Sequence, residues 1–156
     1  MRQPLGPCAQ VGSGDLPEEL QQVSKEALVT PEEADRITRK HAELWSQHDA
    51  DGVAALYSAD CVYEDAASGA VMKGQEQVIQ HARGMFQMIA DMTVNLRAVM
   101  ATGHHSAREY VITGTWAANG KSISLPGVSI LEFDDNSITR NTDYYDLSTL
   151  MKQVAD

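Results

Sequence analysis

The chain has 156 residues, of which 43% are hydrophobic and 22% charged. That is one domain of ordinary size with apolar residues enough for its own core, and it excludes a wholly disordered chain, a collagen and a coiled-coil rod. Its net charge of -10 repels phosphate backbones and anionic bilayers, so nucleic acid and membrane are not expected partners, and no cluster of Lys and Arg offers a basic pocket.

Residues 1–16, with Pro4, Gly6, Pro7, Gly12 and Gly14, have loop composition and no apolar core of a signal peptide. Two cysteines, Cys8 and Cys61, make no disulfide framework, and a reducing cytoplasm is the expected location. Leu16, Leu20, Val23, Ala27 and Leu28 give helical spacing over 16–29. Residues 1–30 therefore read as an extension, a loop plus short helix able to dock as a lid or partner arm, ahead of a domain over 31–156.

Thr30-Pro31-Glu32-Glu33 is a helix start: Thr30 caps, Pro31 suits the first helical position and Glu33 completes a capping box. The helix runs to about Gln47 with Ala34, Ile37, His41, Leu44 and Trp45 on one stripe. A second helix is predicted over 50–58, a short strand over 61–65, a loop over 66–74 and a third helix over 75–91. From Met92 the period changes to two and predicts strands at 92–101, 107–117, 121–133 and 137–145, then a helical tail over 147–156. Asn119-Gly120 and Asp134-Asp135-Asn136 mark turns, and Pro126-Gly127 suggests a bulge or bend. Helices followed by hairpin-linked strands predict an α+β domain, with helices on one face of a curved antiparallel sheet around an interior.

The alternation says what faces that interior. Arg108, Tyr110, Ile112, Gly114 and Trp116 share one strand face and read as a pocket wall. Asn141, Asp143 and Tyr145 share a face of the last strand. If it points inward, Asp143 is a carboxylate among aromatic rings, the setting of a general base; if outward, it is an ordinary surface acid. Asp65 ends a strand, and either caps the following turn or works in a cleft. None of the five histidines pairs at metal-ligand spacing, so no metal site is expected. His41 and His81 read as core histidines that can also supply hydrogen bonds to a cavity. Met85, Phe86, Met88, Ile89 and Met92 form an adaptable apolar patch, either core or the lid of a bulky ligand.

Several motifs carry a resemblance. Trp45-x-x-x-Asp49, Leu56-Tyr57-x-x-Asp60, Glu64-Asp65 and Gly74-x-x-x-Val78 are followed by Gly114-Thr115-Trp116, Pro126-Gly127-Val128 and Asp143-Tyr144-Tyr145-Asp146. Over about residues 33–154 the chain resembles the NTF2-like superfamily, in its SnoaL-like polyketide cyclase branch, with ketosteroid isomerase and limonene epoxide hydrolase as more distant relatives. The resemblance implies a cone of three N-terminal helices on a curved antiparallel sheet, an apolar cavity and a homodimer through the outer sheet face. It puts Asp65 where the isomerases carry a proton-shuttling Asp, and Asp143 where the cyclases and epoxide hydrolases carry an acid–base Asp. His41 and Ser129 fall at the oxyanion-hole positions of the isomerases. The cyclases' histidines near Ser129 and Asn141 are absent, as is the epoxide hydrolases' Arg and Asp pair on the strand that here reads Tyr110-Val111-Ile112.

The function expected from these readings is a cofactor-independent cyclase or isomerase acting on an apolar carbonyl compound, polyketide- or terpenoid-like. Asp143 or Asp65 is the base, and His41, His81 or Ser129 donates to the enolate. Tyr63, Tyr110, Trp116, Asn141 and Tyr145 complete the substrate pocket. The alternative is a non-catalytic module that binds a small molecule or dimerises.

Overall fold

The computed structural model describes residues 29–155. The loop expected over 1–16 and the helix expected over 16–29 lie outside the described residues except for Val29, which is not helical. Helix α1 (Pro31–Ser46) starts as its sequence dictates: Thr30 Oγ1 accepts from the Glu33 amide at 3.2 Å, with Pro31 in the first turn. Only half of the capping box forms, because the Glu33 carboxylate turns to Arg36, at 2.9 and 2.5 Å. The stripe Ala34, Ile37, His41, Leu44 and Trp45 is buried, as its spacing requires.

Helix α2 (Ala50–Ala55) is shorter than the 50–58 expected. Tyr57 and Ser58 leave it for strand β1 (Tyr57–Asp65), since Tyr57 is buried with its hydroxyl beside His41 and the Leu56 carbonyl accepts from the Ile138 amide at 2.8 Å. The expected loop over 66–74 contains a second strand, β2 (Ala70–Lys73), too short for alternation to reveal. Helix α3 (Gln75–Met88) follows, then strands β3 (Thr93–Ala101), β4 (His105–Thr115), β5 (Ser122–Asp134) and β6 (Ser137–Tyr145), and helix α4 (Leu147–Val154). Asp135 and Asn136 both have positive φ, 43° and 64°, which is the mirror-image turn a two-residue hairpin needs.

The six strands form one open, curved sheet in the order β2-β1-β6-β5-β4-β3. All neighbours run antiparallel except β1 and β6, which pair in parallel. Helices α1 to α3 close over the sheet, and Ile37, Trp45, Val53, Val78, Leu131 and Ile138 belong to the buried core between the layers. A hydrogen bond of 2.6 Å between Thr38 Oγ1 and Ser106 Oγ ties α1 to β4. No helix among the described residues is long and apolar enough to cross a membrane.

Pro126-Gly127 makes no bulge. β4 and β5 stay in register through both residues, and the pairing of β5 with β6 begins at Gly127, so Pro126 sits where β6 asks for no amide donor. Gly127 serves a close approach instead: a Cβ there would lie 2.6 Å from the Tyr110 hydroxyl. The missing side chain is the space the Tyr110 ring occupies.

Candidate functional site

A cavity of about 320 Å³ opens between the concave face of the sheet and helices α3 and α4. This is the lower end of the range of small-molecule pockets. Its helical side is apolar apart from His81 and Trp45, with Met85, Met88, Ile89, Leu147, Leu150 and Met151, and Trp116 and Leu125 extend that surface onto the sheet. Most of its polar groups come from the sheet, in rows that the strand register sets.

Ser129 of β5 pairs with Arg108 of β4 on one side and with Asp143 of β6 on the other, and Asp143 pairs with Asp65 of β1. Four polar side chains therefore stand abreast across four strands. One pleat away Tyr63, Asn141, Leu131 and Ser106 form the next row, and Tyr145, Gly127 and Tyr110 form the row on the other side. Residues two apart share a face, so all three rows point inward together.

Asp143 is the centre of this array. It is 9% exposed, and what exposure it has is toward the cavity it lines. Its Oδ2 accepts from the Tyr63 hydroxyl, and its Oδ1 accepts from the Ser129 hydroxyl and from Asn141 Nδ2, the last at 3.2 Å. With two donors on Oδ1 and one on Oδ2, the spare lone pair of the carboxylate is on Oδ2. Asn141 Oδ1 is buried without a partner. Turning the amide over would satisfy nothing, because it would set an acceptor against the carboxylate. An unpaired buried acceptor costs about 1–3 kcal/mol, a cost that holds an Asn donor on Asp143.

Behind the row lies a second network. Arg108, 3% exposed, donates from Nε to Ser129 Oγ at 3.0 Å and from Nη1 to His41 Nδ1 at 2.7 Å. A guanidinium has no lone pair to give, so His41 Nδ1 must be the acceptor. The neutral ring then carries its proton on Nε2, toward the Tyr57 hydroxyl at 2.9 Å. This leaves the Trp45 indole N–H, 3.2 Å from the same nitrogen, in edge contact. Burial first, and the Arg108 charge second, push the His41 imidazole well below its usual range, so it stays neutral. The Arg108 guanidinium also sits 5.5 Å from the centre of the Tyr110 ring, within cation–π range.

The rim carries the other titratable groups. Asp65 Oδ1 accepts from the amides of Ala67 and Ser68, both at 3.1 Å, and Oδ2 accepts from the Tyr145 hydroxyl at 2.8 Å. It caps its turn and lines the cavity at once. His81 of α3 packs against Tyr63 and Trp45, with ring centres 5.1 and 6.2 Å apart. Desolvation lowers its pKa, against the opposing pull of Asp143 and Asp65, and the ring is neutral at pH 7. Burial, followed by the Asp143 charge, pushes the Tyr63 and Tyr110 phenols up. Burial and the hydrogen bond to Asp65 do the same for Tyr145. All three remain donors.

The site residues expected from sequence thus divide. Asp143, Asp65, Tyr63, His81, Tyr110, Trp116 and Tyr145 meet on the cavity lining. Asn141 and Ser129 are buried one layer back, hydrogen-bonded to Asp143. His41 is fully buried beneath Arg108, its ring nitrogens committed to Arg108 and Tyr57 and outside the cavity lining. Sequence reading put Arg108 on the right face but sought a basic cluster, and one buried cation is not a cluster. Its signal was an Arg on an otherwise apolar strand face, one pleat before Tyr110.

Among the described residues no group of three His, Cys, Asp or Glu converges as a metal-holding set. No curated protein matches the sequence. Solved structures do. One is a hypothetical protein with a ketosteroid isomerase-like fold from Catenulispora acidiphila, in complex with trimethylamine. It is 29% identical, with a TM-score of 0.72 over 80% of this chain and 93% of that one. A candidate polyketide cyclase from Xanthomonas campestris is 26% identical, with a TM-score of 0.72 over 80% of this chain and 98% of that one. An epoxide hydrolase of the LEH-like type from M. tuberculosis shares the fold at 22% identity, with a TM-score of 0.68 over 80% and 90% of the two chains. The sequence profile of the SnoaL-like domain matches residues 38–141. With the cavity, the curved six-stranded sheet and the helices over it, that match makes this chain a member of the SnoaL-like family, on the NTF2-like fold.

Proposed function

We propose that this protein is a cofactor-independent cyclase or isomerase that abstracts a proton next to the carbonyl of a small apolar molecule, polyketide- or terpenoid-like, with Asp143 as the base. The observation that carries the reading is the seat of Asp143: a carboxylate inside an apolar cavity, held by Tyr63, Ser129 and Asn141, with one lone pair of Oδ2 left over. Three donors fix its orientation, which is what proton transfer to a bound carbon acid needs. His81, neutral and without a hydrogen bond among the described residues, is the group to return or relay the proton. Asp65 carries the same number of donors, two on Oδ1 and one on Oδ2, but it is only half-buried and is tied to its turn by the Ala67 and Ser68 amides, which makes it the less suited base.

The reaction is testable without the natural substrate. Exchange of the α-protons of a panel of cyclic ketones and β-diketones for deuterium, followed by NMR, reports abstraction directly. Wild type accelerates exchange of those that bind, Asp143→Asn does not, and Asp65→Asn retains most of the rate. Binding without acceleration by wild type favours the second reading, a small-molecule-binding module. The observation behind that reading is that Asp65 Oδ1 caps its own turn, an ordinary structural use of such a carboxylate.

The partner we infer is a second copy, against the outer face of the sheet. Val128 pairs with Tyr144 there, Ile130 lies one pleat on and Met100 beyond it, and all four are exposed, from 36% for Ile130 to 68% for Met100. A sheet face of that kind asks for cover. Sedimentation of wild type as a dimer and of Ile130→Glu/Tyr144→Glu as a monomer is the expected outcome; a monomeric wild type overturns it.

A further inference from the structure

Burying a guanidinium is costly unless its charge is answered. Arg108 is answered incompletely. None of the ion pairs among the described residues includes it, and they all lie between solvent-accessible side chains. Its two direct partners, Ser129 and neutral His41, carry no charge. Nη2 has no partner among the described residues, yet it is not among the sealed, unsatisfied atoms. Arg108 lines the cavity while His41 and Ser129 do not. Two edges of the guanidinium therefore hold it to the wall, and the third opens on the cavity.

The nearest charge to it by hydrogen bonds is Asp143, one hydroxyl away: Arg108 Nε donates to Ser129, and Ser129 donates to Asp143 Oδ1. This relay gives the pair a property that neither residue has alone. When Asp143 takes a proton, Arg108 loses the negative charge it faces. A cation so stranded favours a new anion at its free edge.

We propose that Arg108 binds the carbonyl oxygen of the ligand through Nη2 and stabilises the enolate formed as Asp143 takes the proton, so that the negative charge passes from Asp143 to the ligand while Arg108 stays in place. The proposal rests on Asp143 as the base and adds the ligand chemistry: an apolar body with an enolisable carbonyl. Asp143 Oδ2 forms a bond to the α-proton, the C–H pair becomes the C=C bond of the enolate, and the carbonyl π pair moves onto the oxygen. That oxygen accepts from Arg108 Nη2–H. A carbon of the enolate then takes the proton back from Asp143 at another position, or attacks a second carbonyl of the same molecule, whose π pair moves onto its oxygen and takes that proton as an alkoxide; either way Asp143 is left charged again. A fixed cation aimed where charge develops in a dry site is the largest kind of catalytic contribution available to such chemistry. His41 is then a positioning residue: it holds Nη1 and with it the direction of Nη2.

The test uses 4-nitrophenol, whose anion copies the shared planar charge of an enolate and whose colour reports ionisation. Asp143→Asn gives the pocket the charge it has after proton abstraction. Bound to this variant, the phenol is expected to ionise at a pH at least one unit below that of the free phenol, a tenfold change in its ionisation constant. Bound to wild type, with Asp143 still charged, it ionises less readily than in the variant. Arg108→Gln in the Asp143→Asn background removes the shift, and Arg108→Lys retains part of it because the charge remains and the fork does not. Where Arg108→Gln fails to fold, Asp143→Asn alone and its combination with Arg108→Lys decide the matter. An unshifted phenol in Asp143→Asn, a shift that survives Arg108→Gln, or no binding of the phenol to Asp143→Asn overturns the proposal. Failure of the base is read separately, in proton exchange: an Asp143→Asn protein that still exchanges α-protons sinks the base and leaves the phenol result standing.

Discussion

The two walls of the cavity are built on different principles. The sheet wall is a register-locked array in which Asp65, Asp143, Ser129 and Arg108 stand abreast on four strands, each fixed by neighbours on both sides. The helix wall, apart from His81 and Trp45, is a set of side chains, Met85, Met88, Ile89, Leu150 and Met151, with no polar group to orient them. Unbranched methionine has several low-energy shapes and fills irregular space. On the proposed reading the difference divides the labour: the sheet, with His81, holds the chemistry at fixed positions, and the rest of the helix wall adapts to the ligand. A change on the sheet should therefore alter rate or stability, and a change on the helices should alter preference.

The largest effect falls on Asp143. Asp143→Asn is expected to slow proton exchange by about 10²- to 10⁴-fold, the ordinary worth of a positioned general base. The fold should survive, because the Tyr63 and Ser129 hydroxyls can rotate to accept from an amide. A variant that still folds and loses the rate places the chemistry on the sheet wall. Undiminished exchange dissolves the division between the walls.

Next in size is His41, which supports the array from behind. His41→Leu leaves Arg108 Nη1 without its acceptor, at a cost of about 3 kcal/mol, since buried charged donors are more expensive to strand than neutral ones. Chemical denaturation reads it. The same residue sets a pH dependence. His41 is held neutral in the fold, below the usual 6.5, while in the unfolded chain it takes a proton as pH falls through about 6.5. The unfolded state thus binds more protons below that point. Its contribution to stability is whole above pH 6.5 and is lost as pH falls toward the depressed folded value, at up to about 1.4 kcal/mol per pH unit. His81 adds in the same direction. His41→Gln should flatten the acid limb of a stability–pH profile by its own share; an unchanged slope would show that His41 is protonated in the fold.

How much of this the sequence disclosed follows from the distance over which each feature is encoded. The stripe on α1, the turn at Asp135-Asn136 and the common face of Asn141, Asp143 and Tyr145 are local periodicities, and they read correctly. The bond from Arg108 to His41 spans 67 residues, and the one from Tyr63 to Asp143 spans 80. Neither has a local signature, and the resemblance supplied positions for His41 and Ser129 but not their commitments. The parallel pairing of β1 with β6 is hidden for the same reason, and β2 by its four residues. Arg108 shows what alternation can and cannot yield: it gives the face a residue points to, and not which of its donors is already taken.

A smaller effect tests the edge of the array. Gly127→Ala puts a Cβ 2.6 Å from the Tyr110 hydroxyl and 2.7 Å from Cζ. The buried ring has to move, at about 1–3 kcal/mol for an overpacked site, and the open side is the cavity. Lower stability together with weaker ligand binding is expected, by thermal melting and titration. Lower stability with unchanged binding would mean that the ring yields away from the ligand.

The smallest effects belong to the helix wall, and they discriminate best between the two principles. Met85→Leu and Met88→Leu keep volume and apolarity while removing flexibility, and such swaps cost less than about 1.5 kcal/mol in stability. If the methionines only adapt, the best ligand of each variant is exchanged at close to the wild-type rate. The ratio of kcat/KM between a planar and a bulkier ketone should shift, by about tenfold where one methylene's worth of fit is gained or lost. Met88 is partly exposed at the mouth and Met85 lies deeper, so Met85→Leu should shift the ratio more. Equal loss of rate for every ketone would mean that the methionines help to set the geometry at Asp143, and the apolar part of the helix wall would then share in the chemistry rather than only enclose it.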